Sequence, residues 1–422
     1  MYKNTVRFLS YLFGLIMIGD ITVLAANWTN EANTATSYGR TIQTTKKGEV
    51  TIYEGRWNIP AHVKPSPNLA TLRYYGLNVK RGERQPSKYT VTPSGTKRVL
   101  NYNLKSSAFL DEVMQKSSIL SYLFFSNGSI IHSQKSPSFR LSKILKPKET
   151  YHSNSMGKSL VSYVIGHAIC EGYVGDVHTE IVDWPLVKGT LYEGQKLINL
   201  LNMNARDSHV VDDTEGMKAT GRWYNTTPFS SIVANELQGT KPNGKRGYHY
   251  NGLISNLLLN YAIFKSGGNF NQLLNKIFNE RVGVANRVYF NKIGGSSDEA
   301  WYQFHATPED YMRIAVTIME DLQQNTCVGQ YLKELQILKI PKKMNKLPNF
   351  PMFKKSKSYG GQFHLNYKQM EKRDLFGMDG YGGQSILIDA TNSRIVVVNT
   401  VHTNYDWDTL VFKAIKNGHI PE

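Results

Sequence analysis

The sequence predicts a mixed α/β chain that is strand-rich towards both ends and helical between them. Three observations carry this: a β-hairpin pattern around Asn127-Gly128, helical periodicity recurring between residues 156 and 322, and alternating apolar strands after residue 359. With 422 residues, 41% of them hydrophobic and 20% charged, the chain can bury a large core, and global disorder is excluded.

The first stretch carries Lys3 and Arg7, an apolar run from Phe8 to Ile18, Asp20, and the small-residue segment Val23-Leu24-Ala25-Ala26. This is the layout of a secretory signal peptide over residues 1–26, cut near Ala25 or Ala26. It predicts a periplasmic or secreted protein, or a membrane-anchored one if the segment stays on. The apolar run is short for a membrane span. Residues 27–115 are polar and broken by Pro60, Pro65, Pro67, Pro86 and Pro93, and read as an N-terminal extension wrapped on a main domain at 116–422.

Within that domain, Leu120 to Phe125 and Ser129 to Ile131 flank Asn127-Gly128, the residue pair that a tight hairpin turn favours. A helix is expected from Met156 to about Glu171, where Gly172 stops it. Apolar residues at Met156, Leu160, Val164 and Ala168 give it a core-facing stripe. Leu197 to Asn204 contains a short helix, and Leu253 to Lys265 a longer one ended by Gly267-Gly268. Thr307-Pro308-Glu309-Asp310 is a helix start with threonine as N-cap and proline at the first helical position, running to about Leu322. Strands follow at Tyr359 to Leu365, Gln384 to Asp389 and Arg394 to Thr400, the last two joined by Thr391-Asn392-Ser393. A closing helix is expected from Asp408 to Lys416.

The net charge of +17 would suit a polyanionic partner or an acidic surface, leaving peripheral association with a membrane or envelope open. No zinc-finger or RNA-binding signature accompanies it, so no nucleic-acid partner is predicted. Seven lysines and no acids between Lys339 and Lys357 read as a solvated basic loop. Cys170 and Cys327 either pair in an oxidising compartment or leave Cys170 as a buried free thiol. Asp207, His209, Asp212, Asp213 and Glu215 cluster without a known ligand spacing, so no metal is expected there.

The chemistry concentrates at Ser155-Met156-Gly157-Lys158. Three-residue spacing in a first helical turn puts Ser155 and Lys158 on one face. A serine hydroxyl needs a neighbouring base, and an amine serves once burial lowers its pKa. The N–H groups of the same turn, Ser155 included, point where an oxyanion would form. Gly157-Lys158-Ser159 does not end a phosphate loop, because His152 stands where that loop needs glycine. No Gly-x-Ser-x-Gly elbow is present either.

Several stretches together resemble the serine beta-lactamase and penicillin-binding-protein superfamily, in its class C-like branch of esterases and 6-aminohexanoate-dimer hydrolases. They are the hairpin at Asn127-Gly128, the Ser155-x-x-Lys158 helix with its exit at Glu171-Gly172-Tyr173, Leu200-Leu201-Asn202-Met203, the helix opening at Thr307, and Gly380-Tyr381-Gly382-Gly383-Gln384 before a strand hairpin. The resemblance covers about residues 119–416. It implies a beta-lactamase-like α/β (α+β) fold: an antiparallel sheet from residues near 119–133 and 359–400 flanked by terminal helices, a mostly helical subdomain at about 160–340, and an active-site cleft between them.

The resemblance also implies roles. Tyr250, in Tyr250-Asn251-Gly252, would assist proton transfer, with Tyr248 as the competing assignment. Glycine at 252 replaces the family's usual polar side chain, and Asn251 would stand in for it. Register with the following strand puts Met378-Asp379-Gly380 where beta-lactamases have Lys-Thr-Gly or His-Thr-Gly. Met378 cannot hold a substrate carboxylate, which favours neutral or cationic esters and amides. Tyr381 would supply the second oxyanion N–H, and Tyr248, Asn251, Asp379, Gly380 and Gly382 would line the substrate site. The implied activity is acyl transfer through a Ser155 acyl-enzyme, without metal or organic cofactor. The alternatives are a non-enzymatic envelope protein that binds in the cleft and a penicillin-sensitive peptidase or beta-lactamase.

Overall fold

The computed structural model describes residues 34–37, 40–44, 50–54, 88–117, 119–136, 150–211, 228–292, 298–342, 355–380, 382–400 and 405–422. The signal-peptide segment, most of the extension, Asp212, Asp213, Glu215 and Tyr381 lie outside them. Within the extension, β1 (Thr34–Ser37), β2 (Arg40–Thr44) and β3 (Val50–Glu54) form an antiparallel sheet of their own.

The hairpin pattern folds as read. β6 (Ile119–Ser126) and β7 (Ser129–Lys135) pair antiparallel, with positive φ at Asn127 and Gly128, the backbone that such a two-residue turn demands. They join the C-terminal strands in one sheet, in which β6 lies beside β16 (Arg394–Thr400). From β16 the sheet continues through β15 (Gln384–Asp389), β14 (Leu375–Gly380), β13 (Phe363–Tyr367), β12 (Ser356–Gly360) and β11 (Ile340–Pro341). On the other side β7 pairs parallel with β5 (Asn101–Tyr102), giving nine strands. The single strand expected over 359–365 is instead the β12–β13 hairpin, because Gly361 and Gln362 both take positive φ and reverse the chain.

Both sheet faces are covered, which explains why every residue of β6 is buried. On the outer face, Leu110 and Met114 of α1 (Ala108–Lys116) and Leu410, Val411 and Ile415 of the closing helical segment pack against Tyr122, Phe124 and Trp407. The inner face carries the main core. There α2 (Met156–Cys170), α3 (Leu253–Lys265), α4 (Pro308–Gln324) and α5 (Cys327–Ile337) assemble. Thr307 caps α4 through its hydroxyl, which accepts from the Asp310 N–H at 3.1 Å. The middle of the chain is less purely helical than expected. It holds a second sheet ordered β4 (Lys88–Val91), β9 (Val288–Lys292), β10 (Ala300–Ala306) and β8 (Tyr151–His152). Residues 88–115, placed in the extension by sequence, thus supply strands to both sheets and all but the last residue of a helix on the outer face.

Helix α2 is not amphipathic. Every residue from Met156 to Ala168 is buried, because α2 passes between α3, α5, β10 and the large sheet rather than lying on a surface. Its polar side chains find partners inside: the Ser159 hydroxyl donates to the Gln362 carbonyl at 2.6 Å, and Ser162 bonds the Tyr331 hydroxyl at 2.8 Å. The two cysteines are joined as a disulfide that ties the end of α2 to the start of α5 across 157 residues of sequence. This settles the choice that the sequence left open against a free thiol.

Candidate active site

Strand β8 delivers the chain to Ser155 through a turn fastened to β10. The Ser153 N–H donates to the Phe304 carbonyl at 2.8 Å, the Ser153 hydroxyl accepts from the Phe304 N–H at 2.9 Å, and the Tyr311 hydroxyl donates to the Tyr151 carbonyl at 2.8 Å. Asn154 takes φ +48°, a left-handed conformation that asparagine tolerates better than most residues, and Ser155 follows as the N-cap of α2. Among the described residues no backbone carbonyl accepts from the Ser155 N–H, as expected at a helix start.

Gly157 sets the depth of the helix. A Cβ there would overlap the Tyr302 carbonyl oxygen, so only glycine lets α2 press onto β10 this closely. The contact brings Lys158 over an aromatic face: its Nζ lies 3.4 Å from the centroid of the Tyr302 ring and 5.3 Å from that of Tyr250. Lys158 is only 2% exposed, and among the described residues no carboxylate is within ion-pair distance. Burial therefore holds the amine well below its ordinary value of 10.5, favouring the neutral form. Tyr302 is fixed in turn, its N–H donating to Asn256 Oδ1 of α3 at 3.0 Å.

Tyr250 precedes α3 and is half-buried. Burial pushes its phenol above the ordinary tyrosine value, the nearby Tyr302 pushes the same way, and a hydrogen bond with Ser155 offsets part of the rise. The Tyr250 phenol is thus bonded to Ser155, and its ring centroid lies 5.3 Å from the Lys158 amine. Tyr248 stands beside them, its ring 6.3 Å from Tyr250 and 4.9 Å from Tyr359; its hydroxyl is buried without a hydrogen-bond partner among the described residues.

The remaining expected site residues fall in different places. Asn251 is buried, with Oδ1 accepting from the Ile254 N–H at 3.0 Å and Nδ2 donating to Asp207 Oδ2 at 3.1 Å, so its amide is spent on the scaffold. Gly380 ends β14 against the nucleophile turn, where a Cβ would overlap the Ser153 carbonyl. Gly382 is buried at φ +81°. Met378 is fully buried in the inner core.

Asp379 is 4% exposed and accepts from the Ser385 hydroxyl at 3.1 Å. Its Oδ2 lies 3.7 Å from His364 Nε2, and His364 Nδ1 is 3.0 Å from the Lys342 ammonium. Burial pushes the Asp379 carboxyl up to about 7 against the pull of Lys342, and lowers Lys342 to about 8. Burial, and then the Lys342 charge, hold the His364 pKa well below its ordinary value.

The sequence reading missed Tyr302 and Tyr359. The alternating Ala300 to Ala306 run was the available signal for the strand that carries Tyr302; nothing local marks Tyr359 as facing Tyr248 and Tyr250. Among the described residues no cluster of metal-ligating side chains is present.

No protein-family model matches the sequence, and no curated protein matches it. Solved structures do. The chain is similar to a Bacillus anthracis protein provisionally described as a 6-aminohexanoate-dimer hydrolase, with a TM-score of 0.58 at 12% identity, covering 84% of this chain and 96% of that one. It also aligns with a penicillin-binding protein from Bacillus halodurans, with a TM-score of 0.48 at 16% identity, over 70% of this chain and 94% of that one. With the sheets and helices described above, the likeness to the Bacillus anthracis structure shows that the chain has a beta-lactamase-like fold.

Proposed function

We propose that the protein is a serine hydrolase that cleaves an ester or amide through a Ser155 acyl-enzyme. The observation that carries this reading is that the Tyr250 phenol bonds Ser155 while its ring lies 5.3 Å from the buried amine of Lys158, one helical turn from that serine and held by burial well below its ordinary pKa. The Ser155 oxygen attacks the carbonyl carbon while its proton passes to Lys158. Tyr250, like any tyrosine, is protonated at neutral pH, and burial raises its pKa further, so it acts as a hydrogen-bonding relay, handing a proton to the leaving group as Lys158 replenishes it. Water then releases the acyl group by the same steps in reverse.

The oxyanion would be held by the N–H of Ser155 and, as the resemblance implies, by that of Tyr381, which lies outside the described residues. Support for the second donor is the close seating of Gly380 on the Ser153 carbonyl, which draws the end of β14 to the nucleophile turn. A methionine at position 378 favours neutral or cationic acyl donors over carboxylates. The Cys170–Cys327 disulfide supports an oxidising compartment and hence the exported, periplasmic or secreted reading of residues 1–26.

The test is covalent labelling with a fluorophosphonate together with turnover of a short-chain nitrophenyl ester. Both are expected in the wild type and absent in Ser155→Ala. Unchanged labelling of that variant overturns the nucleophile. Equal turnover by wild type and Lys158→Ala favours the cleft-binding alternative, and stable acylation by a fluorescent penicillin favours the peptidase.

A further inference from the structure

Asp207 belongs to the acidic cluster that the sequence singled out, and no metal role accounts for it. It is fully buried. It lies at the end of a turn after the short helix Leu197–Leu201, a turn in which Met203 and Arg206 both take positive φ. Its Oδ2 accepts from the Tyr192 hydroxyl at 2.9 Å and from Asn251 Nδ2 at 3.1 Å. Its Oδ1 has no hydrogen-bond partner among the described residues and faces His249 Nδ1 at 3.7 Å. The residues on either side of Tyr250 are thus both directed at one carboxylate.

The surrounding backbone repeats the pattern. The His249 N–H donates to the Met203 carbonyl at 2.8 Å, the Gly247 N–H to Asn204 Oδ1 at 2.6 Å, and Arg206 Nε to the Gly244 carbonyl at 2.8 Å. Tyr250 belongs to no helix or strand, so its direction depends on these side-chain and cross-loop bonds.

We infer that Asp207 is a positioning residue for Tyr250: by holding Asn251 and facing His249, it aims the phenol at Ser155. This rests on the hydrolase reading above. A buried carboxylate also strengthens the bonds it accepts, which suits it to fix a loop residue to the tolerance that proton transfer needs.

The experiment measures the rate of fluorophosphonate labelling, with kcat and KM for nitrophenyl acetate, in wild type, Asp207→Asn, Tyr250→Phe and the double variant. Asp207→Asn is expected to slow labelling and lower kcat by about tenfold, with KM nearly unchanged. In the Tyr250→Phe background the same substitution is expected to cost nothing further, since there is no longer a phenol to aim. Asp207→Asn labelling at the wild-type rate, or a full second loss in the Tyr250→Phe background, overturns the role of Asp207. Tyr250→Phe at the wild-type rate instead removes Tyr250, and with it the reading on which Asp207 depends. Should Asp207→Asn fail to fold, His249→Phe, at a partly exposed position, is measured in the same two backgrounds and is expected to show a smaller loss with the same non-additivity; its absence overturns the inference equally.

Discussion

The two halves of the candidate site are built by different means. Ser155 and Lys158 sit on the first turn of a fifteen-residue helix that is buried on every side, so backbone hydrogen bonds and core packing fix their spacing. Tyr250 sits in a loop whose position depends on side-chain bonds to Asn251 and on a contact from His249, both meeting Asp207. The first half is rigid because secondary structure is cooperative; the second is only as rigid as a few pairwise contacts. Such a site should lose activity steeply from the helix side and in graded steps from the loop side.

Several substitutions would break or sharpen that contrast. The largest effect is expected at Lys158. Lys158→Met should lower ester kcat by about a thousandfold, as for loss of a general base, and yet raise the melting temperature by about 2–4 °C at neutral pH. The sign follows from linkage: burial lowers the folded amine's pKa well below the unfolded 10.5, so the wild type is penalised in the window beneath that value and the gain should shrink as pH approaches it. Steady-state kinetics and calorimetry across pH would check both. Tyr250→Phe should cost about a hundredfold in kcat and leave the melting temperature nearly unmoved; a loss equal to that of Lys158→Met would erase the proposed difference between the halves.

Gly157→Ala comes next. Its new methyl group meets the Tyr302 carbonyl, and overpacking of this kind should cost about 2 kcal/mol in a denaturant titration. Smallest is a pH effect beneath β14. Asp379 is raised from 3.8 to about 7, so its contribution to stability is present below 3.8 and is lost as pH rises through about 7. Asp379→Asn should flatten that decline in a melting-temperature profile measured between pH 4 and 8.

Much of the scaffold was legible because its signals are local. Asn127-Gly128 announces a turn that few other dipeptides form, Thr307-Pro308 starts a helix by capping, and the three-residue spacing of Ser155 and Lys158 fixes their common face wherever the helix lies. The resemblance of ordered motifs then pointed to the fold that the solved structures support. What escaped was long-range. No local pattern reports that α2 would be enclosed on all sides, that Gly361 and Gln362 would split one expected strand into two, or that Tyr302 would be the ring beneath Lys158. Each depends on which distant element packs against which.

The sequence by itself determined the chemistry available at the N-terminus of α2, and the glycines that let it be approached closely. Backbone geometry and residue type settle those within a few positions. Only the tertiary structure decided that burial lowers the Lys158 pKa, that Cys170 and Cys327 are joined, and that the amide of Asn251 serves the scaffold. Desolvation, covalent pairing across 157 residues and buried hydrogen bonding all arise from neighbours that the chain brings together only when it folds.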